Sequence, residues 1–395
     1  MDVSNSKRSS PGPRWHSPPT ECSQKEKVMK DKAELTYILK RFQHDIRRRT
    51  VLKSLIGAGA SIGSISTFAE ALAQASNVDV IRVFSQPAAF QEIVEEFSTA
   101  PFKLEYPNTS VELEVGSNST VYPKMVAFRS NPQIMGGMFN DIWTERGRVD
   151  KLWIKPKPEW TPNSAKVASE FRPAGGFGIP FLIMPFGIMY NPEKVEKPTS
   201  WLDLFKPEYK GRVALQAGFF GAYVMAAHAT GRGTDAEAGI KEWAKHKDNI
   251  GVWSEPTAET SELVSKGEVW LAPSWSPTVE DFRRRGKTVA YAAPNDGVLF
   301  TAQFIQIVEG ISEGAAELTA RYCDTWNSKE CQEAWVRKGY FTPTNTDVAV
   351  PDDMKDVPGI MSPADAAKTL VKYDVAALAA KIPQLVNLIN RTLKA

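Results

Sequence analysis

The residues of this chain best suited to chemistry do not assemble into a catalytic set. Four histidines are present: His16, His44, His228 and His246. Two lie in a polar leader, and two fall in predicted helices with no serine or cysteine nucleophile motif nearby. The one Gly-x-Ser-x-Gly string, Gly59 to Gly63, falls inside the weakly apolar run at 54–68, and no HExxH or phosphate-binding glycine loop occurs, which lowers the prospect of hydrolase or nucleotide chemistry. Cys22, Cys323 and Cys331 form neither a CxxC pair nor a Cys/His cluster with metal-ligand spacing, so no metal or cofactor is expected. The sequence instead offers polar and aromatic residues placed after predicted strands: Ser85 and Gln86, Ser117 and Asn118, Trp143 and Thr144, Gln216, Phe219 and Phe220, and Trp275. In open α/β sheets, ligands sit beyond the carboxyl ends of strands. These residues are therefore candidates for binding, although serine and asparagine in such places also serve as helix caps.

The elements that must position them alternate. Strands are predicted at residues 78–84 and 111–115, and a third ends at 141–143. Helices are predicted at 91–97, at 123–128 with Pro123 in the first turn, and at 147–153. This βαβα series implies a mostly parallel sheet. Residues 179–190 are strand-like but broken by Pro180, Pro185 and Gly187, so this run can carry the chain from one lobe to another. Further strands are predicted at 212–215, 268–272, 288–293 and 304–308, and helices at 223–230, 236–246, 315–326 and 328–338. The tail reads as one helix from Asp374 and another from Pro383.

A length of 395 residues with 42% hydrophobic and 24% charged residues suits a soluble two-domain protein. The net charge of +2 conceals an uneven distribution: residues 1–75 carry 13 Lys/Arg against 7 Asp/Glu. No basic patch beyond them argues for a nucleic-acid partner. Arg48-Arg49-Thr50-Val51-Leu52-Lys53 resembles the twin-arginine export signal; a weakly apolar segment at 54–68 follows, and Ala73-Gln74-Ala75 fits the small-x-small cleavage rule. The mature chain is expected to begin near Ser76 and to be periplasmic.

Four stretches carry a family resemblance. Gly187 to Leu215 reads as strand, Asn191-Pro192 turn, short helix from Ser200 with Trp201, and strand after Lys210-Gly211. Gly267-Glu268-Val269-Trp270-Leu271 leads to Trp275, and Gly339-Tyr340-Phe341-Thr342-Pro343-Thr344-Asn345 forms a turn. With Ser117 to Lys124, these segments resemble the periplasmic solute-binding proteins of ABC importers, in the branch that holds the polyamine and ferric-iron binders. The resemblance implies a two-lobed α/β fold of type II, each lobe a mostly parallel sheet flanked by helices, with the ligand cleft between them. It places residues 77–182 and 302–346 in one lobe and 183–301 and 347–395 in the other, after a leader at 1–75. It implies a monomer that holds a small organic ligand and delivers it to a permease in the inner membrane. It adds Gln303 and Tyr340 to the candidate site and makes Trp275 a stacking residue.

The departures bear on the ligand. Where polyamine binders carry acids, this chain has Gln216-Ala217-Gly218-Phe219-Phe220-Gly221, and Thr301-Ala302-Gln303 replaces a Trp and a carboxylate. No Tyr-Tyr pair of the kind that holds ferric iron occurs. The expected ligand is amine- or amino-acid-like and less cationic than a polyamine, with Arg146 available to pair with a carboxylate. A periplasmic α/β enzyme with an unrecognised site, or a ferric-iron binder, remains as the other reading. Cys323 and Cys331, eight residues apart across a helix break, are expected to be bonded in an oxidising compartment, with two buried thiols as the alternative. The leader generates a prediction: replacing Arg48 and Arg49 with lysine should retain uncleaved precursor in the cytoplasm, as fractionation would reveal. Normal periplasmic accumulation would rule out the signal.

Overall fold

The computed structural model describes residues 80–394 apart from 174, 217, 255 and 256; the leader, the Arg48-Arg49 pair, the cleavage site near Ala75 and Cys22 lie outside the described residues. The strands divide between two seven-stranded sheets. The first receives β1 (Val80–Ser85), β2 (Ser110–Val115), β3 (Gly136–Asn140), β4 (Trp153–Ile154) and β5 (Ile179–Ile183). The chain then crosses and builds the second from β6 (Phe186–Tyr190), β7 (Val213–Gln216), β8 (Ile250–Ser254), β9 (Leu271–Trp275), β10 (Ala290–Ala292) and β11 (Val298–Leu299). It returns with β12 (Ala302–Val308) and β13 (Thr342–Pro343), and β14 (Leu370–Val371) finishes the second sheet.

The orders are β13-β5-β12-β3-β1-β2 and β14-β11-β6-β9-β7-β8. The βα alternation yields parallel ladders, β2-β1-β3 in one sheet and β8-β7-β9 in the other. The crossing strands join antiparallel, β12 with β3, β4 and β5, and β6 with β9, β10 and β11. Each sheet is therefore mixed rather than mostly parallel. A strand arriving from the other lobe has no crossover helix to set its direction and can enter from the opposite end. Pro180 lies within β5 because a register shift at Gln303/Phe304 of β12 falls opposite it, where a missing N–H breaks no regular ladder.

Caps explain where the helices differ from expectation. Asn140 accepts a hydrogen bond from the Trp143 amide at 3.2 Å, so the helix Asp141–Val149 begins where a strand end was expected, and Trp153 falls in β4 instead of a helix. Ser117 and Thr120 form a capping box that starts the helix Asn118–Ala127 and leaves Pro123 inside it. Asp374 caps a single helix, Val375–Thr392, which continues through Pro383 rather than restarting there. The second lobe was also expected to resume at 347, yet Met354, Val357 and Ile360 pack on Val336 of the helix Lys329–Gly339, beside the first sheet.

Each sheet has its own core. Phe139, Trp153, Phe181, Trp326 and Trp335 fill the first, and Trp201, Tyr223 and Trp243 the second. Cys323 and Cys331 are both free and fully buried in the first core, so the expected disulfide is not formed. The turn Thr325–Asn327 and the Ser328 cap fix the two helices, and each thiol packs as a small apolar side chain. Burial raises both thiols' pKa, which disfavours the thiolate needed for oxidation. In the second lobe, the helices Gly221–Ala229 and Ala236–Lys245 meet at Gly239, where a Cβ would lie 1.7 Å from the Tyr223 carbonyl oxygen.

Two outcomes follow from this packing. Gly239→Ala should cost about 1–3 kcal/mol in urea unfolding, the usual penalty of overpacking, and a neutral result would mean that the helices separate freely. Denatured but unreduced mature protein should label at both Cys323 and Cys331, while the folded protein should label at neither.

Candidate functional site

Between the two sheets lies a cleft of about 390 Å³. Strand ends and helix starts from both lobes converge on it. The first lobe contributes Gln86 after β1, Asn118 at a helix start, Asn140 at the end of β3 and Asp141 after it, Gln303 on β12 and Tyr340 before β13. The second contributes Phe219 after β7, Trp275 at the end of β9, and Thr278 and Asp281 on the helix Ser276–Arg284. Met184 and Thr301 belong to the two crossing segments.

One wall is aromatic. The Phe219 and Trp275 rings are 4.7 Å apart, and both lie against Phe186 in edge contacts at 4.8 and 5.1 Å. Trp275 Nε1 donates to Thr301 Oγ1 at 3.0 Å, and Thr301 Oγ1 donates in turn to the Met184 carbonyl. The Met184 amide returns a bond to the Thr301 carbonyl at 2.8 Å. The indole is thereby fixed to the place where the chain passes between lobes. Tyr340 ends its helix in the left-handed region, with φ of 60°, and the Arg284 guanidinium of the other lobe lies 5.1 Å from its ring centre.

The polar part is under-committed. Gln86 Nε2, Asn118 Oδ1 and Gln303 Oε1 are buried with no hydrogen-bond partner among the described residues. Such atoms are uncommon in native folds and call for an explanation. Asp141 is buried as well, and it accepts from the Ile142 amide at 2.9 Å and from the Tyr373 hydroxyl at 2.6 Å. Tyr373 follows β14, so this bond joins the lobes. Desolvation pushes the Asp141 carboxyl up to about 6, against the pull of its hydrogen-bond donors. The folded chain holds this proton more tightly than the unfolded one. Asp141 therefore takes stability away as pH rises from about 4 to about 6, and its charged form costs the empty fold on the order of 3 kcal/mol at neutral pH. Asp281 differs, because it is partly exposed and pairs with Arg285 at 2.9 Å. Lys338, at the cleft, pairs with Glu96.

Six of the candidates from the sequence line this cleft: Gln86, Asn118, Phe219, Trp275, Gln303 and Tyr340. The other six lie elsewhere. Ser85 is fully buried and bonds the Gln86 carbonyl at 3.1 Å, and Ser117 is an exposed cap. Trp143 packs on Tyr122 at 5.0 Å, and Thr144 Oγ1 accepts from Gln306 at 3.0 Å. Gln216 is buried at the end of β7, and Phe220 belongs to the second core beside Tyr223. Arg146 lies over the Tyr122 and Trp143 rings, 5.2 Å from each. Sequence reasoning missed Asp141, Asp281, Thr301 and Met184. The signal for Asp141 was the Asn140-Asp141 pair, which marks a helix start. Among the described residues no group of three or more His, Cys, Asp or Glu is placed to hold a metal ion, and no helix is long and apolar enough to cross a membrane.

Two α/β lobes joined by crossing strands, with a cleft between them, define the type II periplasmic-binding-protein fold. Solved structures agree. An ABC transporter protein of Clostridium perfringens aligns at a TM-score of 0.67 with 21% identity, covering 79% of this chain and 99% of that one. The spermidine/putrescine ABC transporter substrate-binding protein of Streptococcus pneumoniae aligns at 0.65 with 16% identity, covering 80% and 99%. The chain belongs to the bacterial extracellular solute-binding protein family, whose model matches residues 65–362. In sequence it is 24% identical over 216 residues to the spermidine/putrescine-binding periplasmic protein of Escherichia coli, a match that covers 51% of this chain and 62% of that relative's length.

The aromatic wall yields a further expectation. Trp275→Ala should weaken binding of a captured solute by about 1–3 kcal/mol and shift the melting temperature of the empty protein little. A large loss of stability at unchanged affinity would place the indole in the core. Calorimetric titration beside thermal melts separates these outcomes.

Proposed function

We propose that this chain is the solute-binding component of an ABC importer. It leaves the cytoplasm through the twin-arginine signal at Arg48-Arg49, captures a small organic solute between its lobes, and presents the closed form to a membrane permease. The observation that carries this reading is the cleft itself: an aromatic wall fixed to the crossing strands, facing space lined by buried amide atoms that lack partners. Clefts with an apolar body and a few convergent polar groups are the usual form of small-molecule sites. Contacts from both lobes supply the difference in affinity that drives hinge closure.

The solute is amine- or amino-acid-like. Gln216 to Gly221 and Thr301 to Gln303 contain no acid, which argues against a multiply charged polyamine. Spermidine and putrescine, named for the Escherichia coli relative, should therefore bind more weakly than a monoamine. The test is mass spectrometry of solute released from gently purified protein, followed by a thermal-shift screen. A solute at about 100 times its dissociation constant should add roughly 2.7 kcal/mol of stability, and the protein should return it unchanged. Conversion of the solute would make the chain an enzyme. A protein that carries and binds no small molecule would end the capture reading.

A further inference from the structure

Two carboxylates line the cleft, and they are not equivalent. Asp281 is committed to Arg285 on its own helix. Asp141 is 5% exposed and has no cation within ion-pair distance among the described residues; it accepts from the Ile142 amide and the Tyr373 hydroxyl, both neutral donors. Burying an unpaired charge is costly, and a fold retains such a group where something else brings the counter-charge. A second acceptor stands beside it. Gln303 pairs in register with Asn140, the residue before Asp141, and it is 3% exposed with its Oε1 unpartnered. A carboxylate and an unpartnered amide oxygen lining one cleft suit a group that offers several N–H bonds and a positive charge.

We infer that Asp141 and Gln303 receive a single ammonium group of the solute, and that Tyr373 is a positioning residue, brought from the second lobe to complete this pocket when the lobes close. The inference rests on the capture reading above and names the chemistry of that site. One ammonium is assigned because Asp281 already has a cationic partner in Arg285. Tyr373 Oη holds one oxygen of Asp141, the Ile142 amide holds the other, and the carboxylate lines the cleft. Opening the lobes would withdraw that donor and release the carboxylate to water. Recognition of charge and closure are thus the same event at this residue.

The experiment uses the mature chain and two probe series, short primary alkylammonium ions and alcohols of equal chain length, in isothermal titration. The ammonium ions should bind and the alcohols should not. Asp141→Asn should lose ammonium affinity by about a hundredfold, while the empty variant melts at the same temperature as the wild type or higher, because a buried charge has been removed. A structural role for Asp141 would instead lower the melting temperature and leave affinity unchanged. Tyr373→Phe should weaken binding by about tenfold, and adding it to Asp141→Asn should weaken binding no further, as expected for coupled groups. If Asp141→Asn does not fold, Gln303→Met replaces it and should cost about tenfold in ammonium affinity. Wild-type ammonium affinity in whichever of these two variants folds overturns the assignment. Tight binding of neutral or acidic solutes with no binding of ammonium ions overturns it too, and leaves the capture reading standing. A chain that binds no small molecule removes both.

Discussion

The arrangement depends on a short pairing where the chain crosses between lobes. Met184 and Thr301 exchange a backbone bond, and the Thr301 hydroxyl adds another to the Met184 carbonyl. These residues join two strands of one sheet to two of the other, because β5 and β12 lie on one side and β6 and β11 on the other. The same hydroxyl accepts the Trp275 indole. A movement at the crossing therefore turns the aromatic wall, and a push on the wall is felt at the crossing. Proline at 185 removes a donor from the segment and keeps it from becoming regular sheet.

The cleft is built from groups left in poor circumstances. Three side-chain amide atoms have no partner among the described residues, and a buried carboxylate sits among neutral groups with its proton held toward neutral pH. In a core these would be defects. In a cleft they are stored demand, because a solute that satisfies them gains bonds that the empty protein lacks. Site residues of this kind trade stability for affinity. The two lobes can carry the cost because each has a large buried core, with Trp153, Trp326 and Trp335 in one and Trp201 and Trp243 in the other.

Much of the fold was legible in the sequence because periodicity and turn residues are local. Asn191-Pro192, Ser200 and Gly211 marked the start of the second lobe, and the structure places a strand, a capped 3-10 turn and a strand there. The direction of the crossing strands was not legible, because β12 pairs with β3 across more than 160 residues and no local pattern encodes that. Half of the candidate site residues reached the cleft, for a related reason. A strand end can be read from its apolar run, but a shift of one residue turns a side chain to the opposite face. Gln86 reaches the cleft while Ser85, its neighbour, is buried behind it. Asp141 escaped notice because its importance comes from Tyr373, which is 232 positions away.

The two thiols of the first core have a meaning beyond packing. Cys323 and Cys331 are unbonded and sealed from solvent, so this domain has the same covalent structure in a reducing compartment as in an oxidising one. With both thiols free, its fold calls for no sulfur oxidation and no exchange of partners between sulfurs. A domain of this construction can reach its final form at the ribosome's side of a membrane and function on the far side without a chemical finishing step.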